Sequence, residues 1–378
     1  MKLSHLIPGI LFLFLLMGCK AEKDIEPSSE FERYILDLPE VEVVQKSVDI
    51  DSEKVTSILG TKDNSIPDKI FVIDYNFWTI FMTNRDGEIL DQEGRAGRGP
   101  NEYALINDLY TYVDEDLLQV LDKKLMRLTY YDISADSMRL SHSVQLPNYE
   151  GYFLDSIFKA KGKLVGVFTN RLQQEKTEVE NKIALFYLDD EFEMKEEILE
   201  IEGTELIEEK RYDGGKGYRE NIFGNETVWS YYDNKFYYSN SESLDFNVFH
   251  FDDAKIIEHK ISGIPENANT PEVIDYMTER YGRIFQINAE YEDYFNDRKN
   301  LPYFSDIYAN DQFLYFSLAQ YGSEREYILR YNLEYSEMER IEISPNFYMQ
   351  GINSKGIYGS SISDELAERA DVFYLEFE

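Results

Sequence analysis

The chain predicts an all-β fold made of one sheet unit repeated, and three observations carry that prediction. Short runs rich in Val, Ile, Tyr and Phe recur along it, separated by Asp, Asn and Gly turns. Aromatic residues make up 15% of the sequence against a formal net charge of −35, which describes a packed core under a very acidic surface rather than a disordered acidic chain. The runs come in related pairs at a spacing of roughly 45 to 80 residues, close to the length of a four-stranded unit. A twisted four-stranded sheet cannot hide both faces alone, but blades stacked face to face around an axis can once the ring closes. Six units fit, so a six-bladed β-propeller is expected in preference to a β-sandwich, which needs no fixed repeat.

Each element follows from its local sequence. In the first unit, 68–74 carries Ile70, Phe71, Val72 and Ile73 in a row, and 78–83 follows with Ile80, Phe81 and Met82. Asn84, Asp86 and Gly87 form the next turn, and 88–92 is a further strand. The second unit repeats the arrangement with 116–122, then 125–131 and a turn from Asp132. Copies of the two central strands lie at 163–169 with 182–188, 235–239 with 246–251, 312–318 with 326–331, and 356–361 with 371–377. The last unit runs to Glu378 without an outer strand, and the stretch 41–48 is placed to supply it and fasten the ring. One stretch breaks the pattern. Thr270 is an N-cap, Pro271 takes the first helical position, and Val273, Ile274, Met277, Tyr281, Ile284 and Phe285 share one face. A weaker helical stretch covers 289–298. This insertion, about 270–300, falls between the fourth and fifth blades, where it either overhangs the channel mouth as a lid or packs on the rim.

Residues 1–18 read as a signal peptide, with Lys2, an apolar run from Ile7 to Met17, and Gly18 before the cut. That run is shorter than the ~20 residues a membrane-spanning helix needs. Cys19, the one cysteine, stands where a bacterial lipoprotein signal places the residue that becomes lipid-modified. Residues 19–40 form an acidic, polar tether without apolar periodicity, and 41–378 form the propeller. Glu22, Asp24 and Glu26 resemble the acidic signal by which Bacteroidetes lipoproteins reach the outer face of the outer membrane, although Ala21 and Lys23 interrupt it. The cell surface and the periplasmic face both remain open. Composition removes other classes: a chain this acidic repels nucleic acid, and a single cysteine excludes an internal disulfide, a thiolate zinc cluster and an iron–sulfur centre.

The most specific internal motif is Gly94-Arg-Ala-Gly97-Arg98-Gly99-Pro100-Asn101-Glu102-Tyr103, a tight loop between the first two blades. With the lipobox and the six units, it resembles the six-bladed β-propeller lipoproteins of Bacteroides and their relatives. These are similar to NHL-repeat propellers and share a G-x-G-P-x-E-[FY] loop after an outer strand. The resemblance covers the whole chain and implies architecture more firmly than activity. It also implies that Arg95, Arg98, Asn101 and Glu102 lie near a ligand face. Arg98 could then grip a carboxylate or stack on a ring. In the competing reading, Glu102 accepts backbone N–H groups to hold the loop and the arginines pair with neighbouring acids.

A second constellation comes from aligning the blades. Asp108, Asp155, Glu226 and Asp306 each precede a second strand, with Gln350 in the corresponding place of the last unit. A ring of these carboxylates at a channel mouth would suit Ca²⁺, a hard cation that takes oxygen ligands. Equally, polar residues often begin a strand and pair with adjacent amides. Other chemistry is thin. His142, His250 and His259 show no zinc spacing, Gly214-Gly215-Lys216-Gly217 lacks the phosphate-loop pattern, and Ser360-Ser361 has no base partner in sequence. Asp189-Asp190 and Asp252-Asp253 sit at turns.

Two functions follow from different classes. The first is a lipid-anchored cell-envelope module without catalysis that holds a glycan, a peptide or an envelope protein of an outer-membrane nutrient uptake system. Thirty tyrosines favour aromatic contacts. The second is a metal-dependent, lactonase-like hydrolase or lyase using the channel carboxylates. Convergence of the four carboxylates separates the two.

Overall fold

The computed structural model of the protein describes residues 29–48, 58–59, 69–74, 76–112, 116–134, 136–170, 181–210, 216–287, 289–319, 321, 325–344, 347–353, 355–362 and 370–377. The segment 1–28, with the signal peptide and Cys19, lies outside the described residues, as does Gly214-Gly215.

After the helix α1 (Glu30–Asp37) and the strand β1 (Val43–Val48), the chain builds successive antiparallel sheets. The first blade is β2 (Ile58–Leu59), β3 (Ile70–Asp74), β4 (Thr79–Thr83) and β5 (Ile89–Glu93). The second is β6 (Ile106–Tyr112), β7 (Leu117–Asp122), β8 (Arg127–Ile133) and β9 (Met138–Gln145). The third is β10 (Tyr152–Ala160), β11 (Lys163–Asn170), β12 (Lys182–Leu188) and β13 (Met194–Glu202). A separate hairpin, β14 (Leu206–Lys210) and β15 (Lys216–Glu220), follows it. Then come the fourth blade, β16 (Thr227–Tyr232), β17 (Lys235–Asn240), β18 (Phe246–His250) and β19 (Lys255–His259), and the helices α2 (Pro271–Ile287) and α3 (Ala289–Asp297). The fifth blade is β20 (Phe304–Ala309), β21 (Phe313–Leu318), β22 (Glu326–Asn332) and β23 (Met338–Ile343). The sixth contains β24 (Phe347–Asn353), β25 (Gly356–Ile362) and β26 (Ala370–Phe377), and β1 completes it by pairing antiparallel with β26 from Val43 opposite Phe377 to Val48 opposite Val372. The fastening expected of 41–48 is therefore present.

The turns explain the Asp and Asn residues between apolar runs. Asp74 is fully buried at the end of β3, where its carboxylate accepts from the amides of Asn76 (2.8 Å) and Phe77 (3.2 Å). Asp122 does the same at the end of β7, accepting from Leu125 (2.8 Å) and Ala104 (2.7 Å). A buried carboxylate is tolerated because backbone N–H groups satisfy it.

Burial confirms a closed ring. Each neighbouring pair of blades shares its own apolar seam, and no blade buries both faces by itself. Phe71, Ile80 and Met82 meet Leu118, Val120 and Tyr131 between the first and second blades. Leu128 and Tyr130 meet Leu154, Ile157 and Phe168 between the second and third, and Phe158, Val165 and Leu185 meet Phe236 and Phe249 between the third and fourth. Tyr237, Phe246 and Val248 meet Leu314, Phe316 and Leu329, while Tyr308 and Ile328 meet Met349, Ile357 and Leu375. Tyr358 and Tyr374 of the last blade close on Ile70, Val72 and Phe81 of the first. The first strand of each blade is innermost, since β6 lies against β10 and β20 lies against both β16 and β24.

Two elements depart from the expected layout. The hairpin β14–β15 was not foreseen, because Leu206-Ile-Glu-Glu-Lys and Lys216-Gly-Tyr-Arg-Glu are too polar to stand out as strands. Within 19–40, residues from Ser29 onward are not a spacer but the helix α1, whose N-cap Ser29 accepts from the amide of Glu32 (3.0 Å). Phe31 and Ile35 bury one turn apart in the seam of the fourth and fifth blades, with Phe31 edge-on to Tyr303 at 4.8 Å.

Candidate ligand site at the channel mouth

Because each blade is an up-and-down meander, the starts of the innermost strands and the turns between second and third strands open on one face of the ring. The loop 94–103 crosses that face from β5 to β6, and its motif is a self-contained staple. The Glu102 carboxylate accepts from the amides of Arg98 (2.9 Å) and Gly99 (2.7 Å), and it pairs with the Arg95 guanidinium at 2.6 Å. These contacts, the Gly99 amide first, then the Arg95 side chain and the Arg98 amide, hold the carboxyl below the usual glutamate range. A Cβ on Gly97 would lie 2.3 Å from the Glu102 carboxylate, and one on Gly94 (φ +84°) would lie 2.8 Å from the Tyr103 ring. Asn101, in the left-handed region at φ 58°, donates to Glu93 (2.5 Å) and accepts from the Tyr131 hydroxyl. Tyr103 and Tyr131 are fully buried and share a hydrogen bond between hydroxyls at 2.5 Å; burial pushes the Tyr103 hydroxyl up to about 12. Arg127 of the second blade donates to the carbonyls of Gly99 (2.9 Å) and Glu102, tying the loop across the seam.

Of the four residues expected at a ligand face, Arg95, Asn101 and Glu102 are thus engaged within the staple. Arg98 alone presents an exposed guanidinium with no ion pair or side-chain hydrogen bond among the described residues.

The four channel carboxylates are not equivalent in register. A β-bulge interrupts the start of β6, β10, β20 and β24, leaving Asn107, Asp155, Ser305 and Gln350 as the extra residues. Asp155 and Gln350 therefore match each other, whereas Asp108 and Asp306 stand one residue later, and Glu226 precedes β16 altogether. A one-residue offset in a strand changes which face a residue occupies. Asp155 pairs with Lys123 at 2.6 Å and accepts from the Thr169 hydroxyl. Asp306 turns toward the seam, within 3.0 Å of the Tyr308 hydroxyl, which burial and then that carboxylate hold well above the usual tyrosine range. The side chain of Asp108 lies outside the described residues. Among the described residues no group of three or more His, Cys, Asp and Glu is close enough to hold a metal ion. His142 stacks on Tyr130 (4.6 Å) and His259 on Phe246 (4.5 Å).

The same face holds a cavity of about 320 Å³ under α2. Its walls come from the starts of three blades: Glu226 beside the fourth, Phe304 and Ser305 of the fifth, and Phe347 and Tyr348 of the sixth. Met277, Arg280 and Tyr281 of α2 form the roof. The insertion is fixed to the rim through Phe223, which packs on Phe285, Tyr291 and Phe295 at 5.1–5.7 Å. Arg298 strengthens that attachment by donating to Glu205 (2.8 Å) and Asn225 (2.9 Å). From this base Arg280 reaches the sixth blade, donating to the Tyr348 hydroxyl at 3.3 Å. Both helices pack on the rim at Phe223, and α2 also contributes Met277, Arg280 and Tyr281 to the cavity lining.

Sequence reasoning did not single out Arg280, Ser305 or Tyr348. A signal for the first was available: its helical neighbours at i±3 and i±4 are Tyr276, Met277, Arg283 and Ile284, with no carboxylate among them.

A family model described as a 6-bladed beta-propeller, DUF5128, matches residues 61–328. The chain belongs to that family. Among solved structures it is similar to a candidate exported protein of Bacteroides fragilis, at 11% identity over 89% of this chain and 95% of that one, with a TM-score of 0.52. It is also similar to a member of the duf4221 family from Bacteroides vulgatus, at 12% identity over 90% of this chain and 99% of that one, with a TM-score of 0.52. At such identities the likeness concerns the fold. No curated protein sequence matches the chain. Among the described residues, no helix is long and apolar enough to cross a membrane.

Proposed function

We propose that this propeller is an exported, lipid-anchored binding protein that holds a small ligand in the cavity between α2 and the fourth to sixth blades, as part of nutrient uptake at the outer membrane. The observation that carries this reading is the roofed cavity itself. A helix outside the blade repeat is attached to the rim by Phe223 and Arg298 and extends over the starts of three innermost strands. A volume of about 320 Å³ with aromatic walls and a few polar groups suits a ligand of one or two rings. Export and anchoring are supported by the run Leu16-Met17-Gly18-Cys19 after an apolar stretch, and export is in keeping with the candidate exported protein of Bacteroides fragilis that has a similar fold.

Replacing Ser305, which is exposed on the bulge and faces the cavity, by Trp fills the site without touching a seam. In a melting-shift screen of mono- and disaccharides and amino-acid derivatives, ligands are expected to stabilise the wild type and not Ser305→Trp. Equal stabilisation of both would reject the mouth as the site. Cys19→Ser is expected to move the protein from the membrane to the soluble fraction, and continued membrane retention would reject lipid anchoring.

A further inference from the structure

The chain has 73 acidic residues against 38 lysines and arginines, so a cation on its surface is seldom far from a carboxylate. Four arginines behave accordingly: Arg95 pairs with Glu102, Arg298 with Glu205, Arg330 with Glu339 and Arg340 with Glu40. Arg280 does not. Its guanidinium, half-buried in the cavity roof, donates to the hydroxyls of Tyr276 and Tyr348 and lies over the rings of Tyr276 (5.9 Å) and Tyr281 (5.7 Å). No carboxylate pairs with it among the described residues. A guanidinium carries five N–H donors, so with two engaged the remaining three have no partner among the described residues.

We infer that Arg280 is the anion-recognising group of the mouth: the cavity takes a small molecule with one carboxylate, gripped by the Arg280 fork, and a ring lying among Tyr281, Phe304 and Tyr348. This rests on the reading of the mouth as a ligand site. Three considerations fix the class. The planar fork matches a planar carboxylate through two parallel hydrogen bonds. Phenolic hydroxyls held against the guanidinium can turn to donate to the same carboxylate, so its second lone pairs also find partners. A net charge of −35 and the presence of Glu226 in the same lining oppose a ligand of higher negative charge, which selects a monoanion over a phosphate ester or a polyanion. An aromatic acid and a uronic sugar share this chemistry.

The test is calorimetric titration of the full chain in detergent with N-acetyltyrosine and glucuronate, each against its neutral counterpart, N-acetyltyrosinamide and glucose. At least one acid is expected to bind about tenfold or more tightly than its neutral counterpart. Arg280→Gln is expected to erase that preference, and Arg280→Lys, which keeps the charge but not the fork, to weaken it severalfold. Which acid binds distinguishes the two sources. Tyr348→Phe, which removes the hydroxyl that holds the guanidinium, gives a second variant with an intact charge and an expected loss of a few-fold. A preference that survives Arg280→Gln, or no binding of either acid, overturns the inference. Neutral compounds that bind wild type as well as the acids and are lost in Ser305→Trp would overturn the role of Arg280 while leaving the mouth as a ligand site.

Discussion

Arg95 and Arg280 stand on the same face of the ring in opposite circumstances. Arg95 belongs to a loop whose polar groups answer one another: Glu102 takes two backbone amides and the guanidinium, Asn101 bridges Glu93 and Tyr131, and the glycines leave room where a Cβ would collide. Arg280 belongs to a roof in which a cation hydrogen-bonds, among the described residues, to phenols alone. The difference teaches where function is to be sought in this fold. The most recognisable motif is recognisable because sterics and hydrogen bonding dictate nearly every residue in it. The roof has no such pattern, and its electrostatic imbalance is what a ligand can correct.

Tyr103→Ala tests the staple side of the comparison with the largest effect. Tyr103 is fully buried, sits in the seam of the first two blades, and bonds the Tyr131 hydroxyl. Truncation leaves a cavity and a buried hydroxyl with one partner fewer, so a loss of about 3–5 kcal/mol is expected in denaturant unfolding. Ligand affinity at the mouth should be unchanged under conditions where the variant is folded. A loss below about 1 kcal/mol would show that the loop does not secure the seam.

Gly94→Ala comes next. Its φ of +84° disfavours an L side chain, and the added Cβ would meet the Tyr103 ring at 2.8 Å and the Trp78 carbonyl at 3.0 Å. A destabilisation of about 1–3 kcal/mol is expected, read from the same unfolding curves. Gly151→Ala provides the contrast, because it has a similar φ of +79° but nothing within 4 Å of its Cβ. If the two variants lose equally, strain alone accounts for the loop and close packing adds nothing.

Glu102→Gln is smaller and carries a pH signature. The native carboxyl is held below its usual value of 4.5, the Gly99 amide contributing first and the Arg95 side chain next. A depressed carboxyl gives stability that is present above the unfolded value and lost as the pH falls through the folded one. The melting difference between wild type and Glu102→Gln should therefore be full near neutrality and shrink as the pH is taken downward from 4.5. A difference that stays constant into acid would mean that the carboxylate charge is not what holds the loop.

Much of the fold was legible in the sequence because central blade strands are buried on both faces. Runs such as Ile70-Phe-Val-Ile-Asp74 and Phe313-Leu-Tyr-Phe-Ser-Leu318 announce themselves by composition, and the Asp74 that ends the first caps the next turn. The helix α2 was legible from Thr270-Pro271 and its apolar face. The helix α1 was not, since eight residues with two buried side chains give no period to read, and its position depends on a groove made by the fourth and fifth blades, far along the chain. The channel carboxylates show the finer limit. Nothing in the sequence marks the bulges at Asn107, Asp155, Ser305 and Gln350, yet each decides which neighbour is in register with the next blade. Arg280 was hidden for a different reason: its partners Tyr276 and Tyr348 lie in one helix and in a blade 68 residues away, so only the ring's closure brings them together.

The smallest expected effect on stability is at Arg280, and it is the most discriminating. An arginine that held the roof in place would cost stability when removed, as Arg298 should, because Arg298 bonds Glu205 and Asn225 at the base of α3. Arg280 has no counter-charge to leave behind, and its removal relieves the desolvation of a half-buried cation without orphaning a carboxylate. Arg280→Gln is thus expected to change unfolding free energy by no more than about 0.5 kcal/mol, whereas Arg298→Ala should lose about 1–3 kcal/mol. A loss at Arg280 as large as at Arg298 would make it a structural tie between the insertion and the sixth blade. Arg280 and Arg95 would then differ only in the partners that hold them, phenols in one case and a carboxylate in the other.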